Sequence, residues 1–288
     1  MKLAQSQQDL LRKLQTCVDA KVESYLAGLG DTTDLGKATA HALVGGKRFR
    51  PALVLLIADA LGRGADPTPA ALAIEFFHTA SLVADDLPCM DNDDERRGKP
   101  SVHVLYGEAV ALLVTYALIA EGYRCLTQRG PLVSDRACLV AIENVTRNTG
   151  LQGATGGQFI DLFPPDVSPQ TLQEVIHKKT VSLFEIAFVL GWIYGGGDVD
   201  SLEKVQQAAW HYGMAFQIAD DFEDEAQDAA HGCQVNLALS LGREVAHTRF
   251  MEEIEAFRKT LQDLAIASEP MLALADSLVH KVDALTNE

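Results

Sequence analysis

Apolar residues recur at three- and four-residue spacing along almost the whole chain, and no stretch alternates apolar with polar as a half-buried strand does. That periodicity restricts the chain to packed helices, predicted near 6–27, 49–61, 69–86, 101–127, 133–149, 170–194, 200–224, 236–263 and 270–286. Turn chemistry interrupts the pattern at Gly28-Leu29-Gly30-Asp31, Gly62 to Pro69, Pro88, Gly130-Pro131, Phe163-Pro164-Pro165-Asp166, Gly195-Gly196-Gly197 and Ser268-Glu269-Pro270. These connections are short, and none has the composition of a linker. The expectation is therefore all-α: one domain over 1–288, a bundle of about ten or more mostly antiparallel helices around a central cavity.

With 48% hydrophobic and 22% charged residues, the chain can form a sizeable core without disulfides or structural metal. A net charge of −16 argues against nucleic acid or an anionic membrane surface as the main partner. Cysteines 17, 89, 125, 138 and 233 form no C-x-x-C pair, which fits reduced thiols and a cytoplasmic location. The first residues lack the apolar run of a signal peptide. The longest apolar run, Val110 to Ala120, is shorter than the roughly 20 residues of a membrane span and predicts a buried helix rather than a transmembrane segment.

Val83-Ala84-Asp85-Asp86 and Ile218-Ala219-Asp220-Asp221 each close a helical pattern with the same order of residue types. An acidic pair at a helix C-terminus opposes the macrodipole by a few tenths to ~1 kcal/mol, so a cation is the expected compensation. Asp220 and Asp224 share a helix face with Gly213 and Gln217. Asp85 lies two turns beyond His78, and Pro88 breaks the helix so that Asp91 can fold back towards Asp85. Magnesium takes only one or two carboxylates from protein and completes its shell with water and phosphate, so two such walls suit a diphosphate. In so acidic a chain, the cations Lys47, Arg48, Arg50, Arg96, Arg97, Lys178 and Lys179, grouped beside glycines or carboxylates, read as diphosphate ligands.

At Gly45-Gly46-Lys47-Arg48-Phe49-Arg50-Pro51, Ile74 to Ser101, Gly156 to Leu162, Lys179-Thr180 and Phe216 to Asp224, the chain resembles the trans-isoprenyl diphosphate synthases. The likeness is to the bacterial and plastid type, whose first aspartate motif carries two extra residues. It implies the isoprenoid synthase fold, a homodimer, and up to three Mg²⁺ held by Asp85, Asp91, Asp220 and Asp224 with Asp86 and Asp221 in support. It also implies an anion clamp of Arg96, Lys179 and Lys47, and isopentenyl diphosphate on Lys47, Arg50, His78 and Arg97. Thr180 and Gln217 would face a developing carbocation. The allylic partners would be dimethylallyl, geranyl or farnesyl diphosphate.

In related enzymes an aromatic residue five positions before the first aspartate shortens the product. Ala80 leaves that position open, and Phe76, one turn deeper, is expected to form the floor, which favours geranylgeranyl over farnesyl diphosphate. The resemblance also brings departures. Residues 225–242 contain no Lys or Arg where the family commonly has lysines, so a non-catalytic subunit is the contrasting reading, with Arg243 a substitute cation. Glu75-x-x-His78 and Glu244-x-x-His247 match a di-iron ligand pattern, but the first has no partner glutamate between Glu23 and Glu75.

Overall fold

The helical periodicity is met nearly element by element in the computed structural model, which describes residues 2–166, 168–231 and 236–286. The helices are α1 (Lys2–Leu29), α2 (Asp34–Leu43), α3 (Phe49–Leu61), α4 (Thr68–Asp85), α5 (Val102–Tyr106), α6 (Glu108–Thr127) and α7 (Asp135–Thr149). They continue as α8 (Ala154–Leu162), α9 (Pro169–Ile176), a π turn (His177–Val181), α10 (Ser182–Tyr194), α11 (Leu202–His231), α12 (Leu237–Leu241), α13 (Arg243–Asp263) and α14 (Glu269–Thr286). Cys233 lies outside the described residues; Cys17, Cys89, Cys125 and Cys138 are free thiols.

The helix α10 is apolar around most of its circumference, Glu185 being the exception, and that composition is stable only when neighbours surround it. It packs against α3, α4, α7 and α11, so the helices that carry the two aspartate motifs flank a common centre. Phe184 and Phe188 of α10 meet Tyr212 of α11, which in turn meets Phe257 of α13, and these rings extend one core through the bundle. Each fully buried aromatic or large aliphatic side chain contributes about 1.5–3 kcal/mol.

Several expectations change. The predicted helix at 101–127 is split by Gly107 and that at 236–263 by Gly242, both at positive φ. Helices α2 and α8 do not stand out in the sequence because glycines, poor helix formers, interrupt them at Gly36 and Gly156-Gly157. A strand pair also exists: Glu95–Arg96 (β1) and Lys99–Pro100 (β2) form an antiparallel hairpin too short to show alternation. Helix α6 is buried along one face only. Ala111, Val114, Leu118 and Cys125 are in the core, whereas Leu112, Leu113, Tyr116 and Ile119 are exposed, Tyr116 by 59%. By length and composition alone α6 is apolar enough to cross a membrane.

Candidate active site

The first wall is the end of α4. The helix stops at Asp85, and the turn after it returns so that the Asp91 amide donates to the Asp85 carbonyl at 2.9 Å, which brings the two aspartates to one end of the helix. Asp86 points the other way. It is 2% exposed and accepts from Arg96 Nε at 2.8 Å, and Arg96 also reaches Asp93 at 2.7 Å. Burial pushes the Asp85 carboxyl up to about 6; Lys179 opposes the rise, and Asp91 and Asp86 add to it.

The second wall is α11, and here the structure corrects the expectation of a helix end. The helix runs on to His231, so Asp220 and Asp224 sit in its body and the macrodipole argument applies only to Asp85. The acidic run is relieved sideways: Lys281 of α14 lies 2.6 Å from both Asp220 and Glu223, and Arg243 lies 2.6 Å from Glu225. Asp221 is 4% exposed and turned inward, accepting from the Leu237 amide and Gln217 Nε2, each at 2.8 Å. Asp224, one turn beyond Asp220, is exposed.

The π turn joins the walls. Lys179 lines the same cavity as Asp85 and is ion-paired with Asp161 of α8, while its neighbour Thr180 donates to Gln217 Oε1 of α11 at 2.8 Å. Helix α8 approaches so closely that a Cβ on Gly157 would lie 2.7 Å from Lys178 Cβ and 2.9 Å from the Lys179 nitrogen. Gln158, on the same helix, is 3.4 Å from Asp91. Gln158 and Asp161 thus reach the site although the sequence singles out neither; their three-residue spacing behind a Gly-Gly pair is the signal that would have found them.

Beside the walls lies a group of cations. Arg50 Nη1 is 3.4 Å from His78 Nε2, and its guanidinium stacks over the Phe184 ring at 4.9 Å. Burial lowers Arg50 to about 10, and burial together with Arg50 and Arg97 holds His78 well below the ordinary histidine range. Arg50 Nε, His78 Nδ1 and Arg97 Nη1 are buried without a hydrogen-bond partner. Unpaired buried polar atoms each cost about 1–3 kcal/mol, and an anion with several acceptor oxygens would satisfy the two guanidinium donors. Lys47 is exposed and lines a second cavity that also takes in Asp220 and Lys281.

Arg48, in contrast, is structural: 3% exposed, at φ 51°, it pairs with Glu75 and the Leu43 carbonyl and reaches Asp19 at 2.7 Å. Arg97 lies 3.8 Å from the same Glu75. Both guanidiniums press on Gly46, where a Cβ would come within 2.8 Å of each. Glu75 is therefore engaged by arginine, which removes it as an iron ligand.

Among the described residues, no three His, Cys, Asp or Glu side chains converge as a self-sufficient metal centre. The donor set still fits magnesium: hard carboxylate oxygens in pairs, one of them a half-buried Asp85 whose charge burial disfavours, beside donors suited to phosphate. Asp85 and Asp91 on one side, and Asp220 with Asp224 on the other, would hold it.

The polyprenyl synthetase family profile matches residues 33–234. The chain belongs to that family. Farnesyl diphosphate synthase of Geobacillus stearothermophilus is 37% identical over 227 residues, covering 76% of this chain and 75% of the relative. Geranylgeranyl pyrophosphate synthase 4 of Arabidopsis thaliana is 40% identical over 204 residues, 68% of this chain and 54% of the relative; the chain spans little more than half that plant protein. A geranyltransferase structure from Legionella pneumophila superposes with a TM-score of 0.83 at 25% identity, covering 98% of both chains. An FPP/GFPP synthase from Zymomonas mobilis superposes at 0.81 with 29% identity, covering 96% of this chain and 99% of the other.

A cavity of about 490 Å³ runs beneath Asp85, lined on α4 by Ala84, Ser81, Ala80 and Phe77. Phe76 is not its floor. It is buried against the Tyr25 ring of α1, centroids 5.0 Å apart, on the neighbouring stripe of α4. Phe77 takes the lining position, in edge contact with Tyr123 and packed so tightly on Gly122 that a Cβ there would lie 2.7 Å from its ring. Of two adjacent phenylalanines, about 100° apart around the helix, the backbone periodicity alone does not say which faces in.

Proposed function

We propose that this polyprenyl synthetase condenses isopentenyl diphosphate with an allylic diphosphate and releases geranylgeranyl diphosphate. The observation that carries the reading is that the two carboxylate-bearing helices, tied together through Thr180 and Gln217, accompany the unpartnered buried donors of Arg50, His78 and Arg97. Bound magnesium would neutralise the allylic diphosphate as it departs. Arg50 and Arg97, with no competing carboxylate within bonding distance of their free nitrogens, hold the isopentenyl diphosphate beside it. The Thr180 hydroxyl donates its hydrogen bond to Gln217 Oε1, and the Gln217 amide nitrogen donates to Asp221, so the threonine oxygen keeps lone pairs for positive charge developing on carbon. The isopentenyl double bond attacks that carbon, and the proton lost leaves with the departed diphosphate.

Ala80 supports the C20 product because it leaves the cavity continuous past the first turn of α4 below Asp85. Phe77 favours the second reading, farnesyl diphosphate, since its ring narrows the cavity about 12 Å below Asp85 at 1.5 Å per residue. The exposed apolar face of α6 suits a second copy of the chain.

Incubation with labelled isopentenyl diphosphate and dimethylallyl, geranyl or farnesyl diphosphate, followed by product-length separation, tests the proposal. Elongation ending at C20 is expected. Products that stop at C15 would move the reading to farnesyl diphosphate, and no elongation of any primer would reject it.

A further inference from the structure

Lys281 is on α14, 61 residues away in sequence from the aspartate it meets. Its ammonium donates to Asp220 Oδ1 at 2.6 Å and lies 2.6 Å from Glu223 Oε2. The neighbouring Leu278 and Val282 are buried, so the stem of the lysine is anchored by helix packing. The sequence from Glu225 to Gly242 supplies no lysine or arginine, and Arg243 is committed to Glu225 and to the Leu285 carbonyl. The C-terminal helix thus brings the cation that meets Asp220.

The direction of approach matters. On α11, Glu223 lies about 60° to one side of Asp220 and Asp224 about 40° to the other at 100° per residue. Asp220, Glu223 and Lys281 line a cavity of about 350 Å³ together with Phe49, Tyr212 and Phe216, and this cavity includes neither Asp85 nor Lys179. Asp220 lines that cavity beside Lys47. A carboxylate has two oxygens with about four acceptor sites, so one oxygen can be held from behind while the other serves an ion in front.

Resting on the metal-dependent reading above, we propose that Lys281 is the positioning residue of Asp220, fixing one carboxylate oxygen so that the other is presented to the metal–diphosphate cluster. Partners of this kind typically carry about 10–100-fold in metal affinity when removed.

The test is Mn²⁺ binding to the full chain in the presence of inorganic pyrophosphate, followed by the loss of free-ion electron paramagnetic resonance signal, with thermal unfolding of the metal-free protein measured in parallel. Lys281→Met is expected to weaken Mn²⁺ binding by about tenfold or more. Lys281→Arg, which restores the charge and the donor, is expected to recover most of that loss, and neither change should unfold the protein. Affinity in Lys281→Met equal to or tighter than the parent would overturn the proposal and mark Lys281 as a competitor of the metal. An equal loss in Lys281→Arg and Lys281→Met would also overturn it. Asp220→Asn separates the two readings: if it leaves Mn²⁺ binding intact, the metal assignment itself fails, whereas a loss there with none in Lys281→Met rejects only the positioning role.

Discussion

At the end of α4, Asp85 stops a helix and a turn carries Asp91 back to it; on α11, Asp220 and Asp224 reach the same surface from successive turns of a helix that continues to His231. One wall is made by breaking a helix and the other by keeping it. In both, the second aspartate of the pair is turned inward and holds structure: Asp86 anchors Arg96 of the hairpin, and Asp221 accepts the Leu237 amide at the start of α12. The bracing also differs. Beneath the first wall lies the buried Arg48–Glu75 pair, whereas the second leans on the half-exposed Lys281. Similar acidic motifs can thus divide the same labour, one carboxylate for the cleft and one for the fold, on opposite backbone solutions.

The largest expected effect breaks either wall from the cleft side. Asp85→Asn and Asp220→Asn should each lower turnover by at least about 100- to 1000-fold with little change in thermal stability, checked by product formation beside a melting curve. The next separates the bracing: Arg48→Met leaves the buried Glu75 with the more distant Arg97 at 3.8 Å and should cost about 3 kcal/mol in denaturant unfolding, whereas removing the half-exposed Lys281 should cost far less. Smaller still are the inward aspartates. Asp86→Asn and Asp221→Asn should each destabilise by about 1–3 kcal/mol, and a loss of turnover with unchanged stability would contradict the division between cleft and fold. Ala80→Tyr sharpens the first wall alone, shifting the product distribution towards shorter chains without loss of Mn²⁺ binding, as read by product chromatography.

The long helices were legible because their apolar stripes repeat over many turns, and the return of Asp91 to Asp85 because Pro88 stands between them. The sequence did not show that Arg48 is held in the fold by Glu75 while Arg50, two residues on, keeps a buried nitrogen without a partner. That depends on Arg48 adopting positive φ and turning towards Glu75. Arg96 and Arg97 diverge in the same way, one to Asp86 and the other to Gly46, because a two-residue strand and its turn send neighbouring side chains apart. Lys281 was out of reach because nothing local ties it to the motif it meets; only the packing of α14 does. The choice between Phe76 and Phe77 waited on which stripe of α4 met α1.

The central claim is that the two walls act as halves of one metal–diphosphate clamp. Calorimetric titration of Mn²⁺ with and without inorganic pyrophosphate, on the parent chain, Asp85→Asn and Asp220→Asn, tests it most directly. The expected result is weak binding of the ion alone, strong binding when pyrophosphate is present, and loss of that enhancement in both variants. Full enhancement in either variant would mean that its wall takes no part in holding the diphosphate, and would contradict the account.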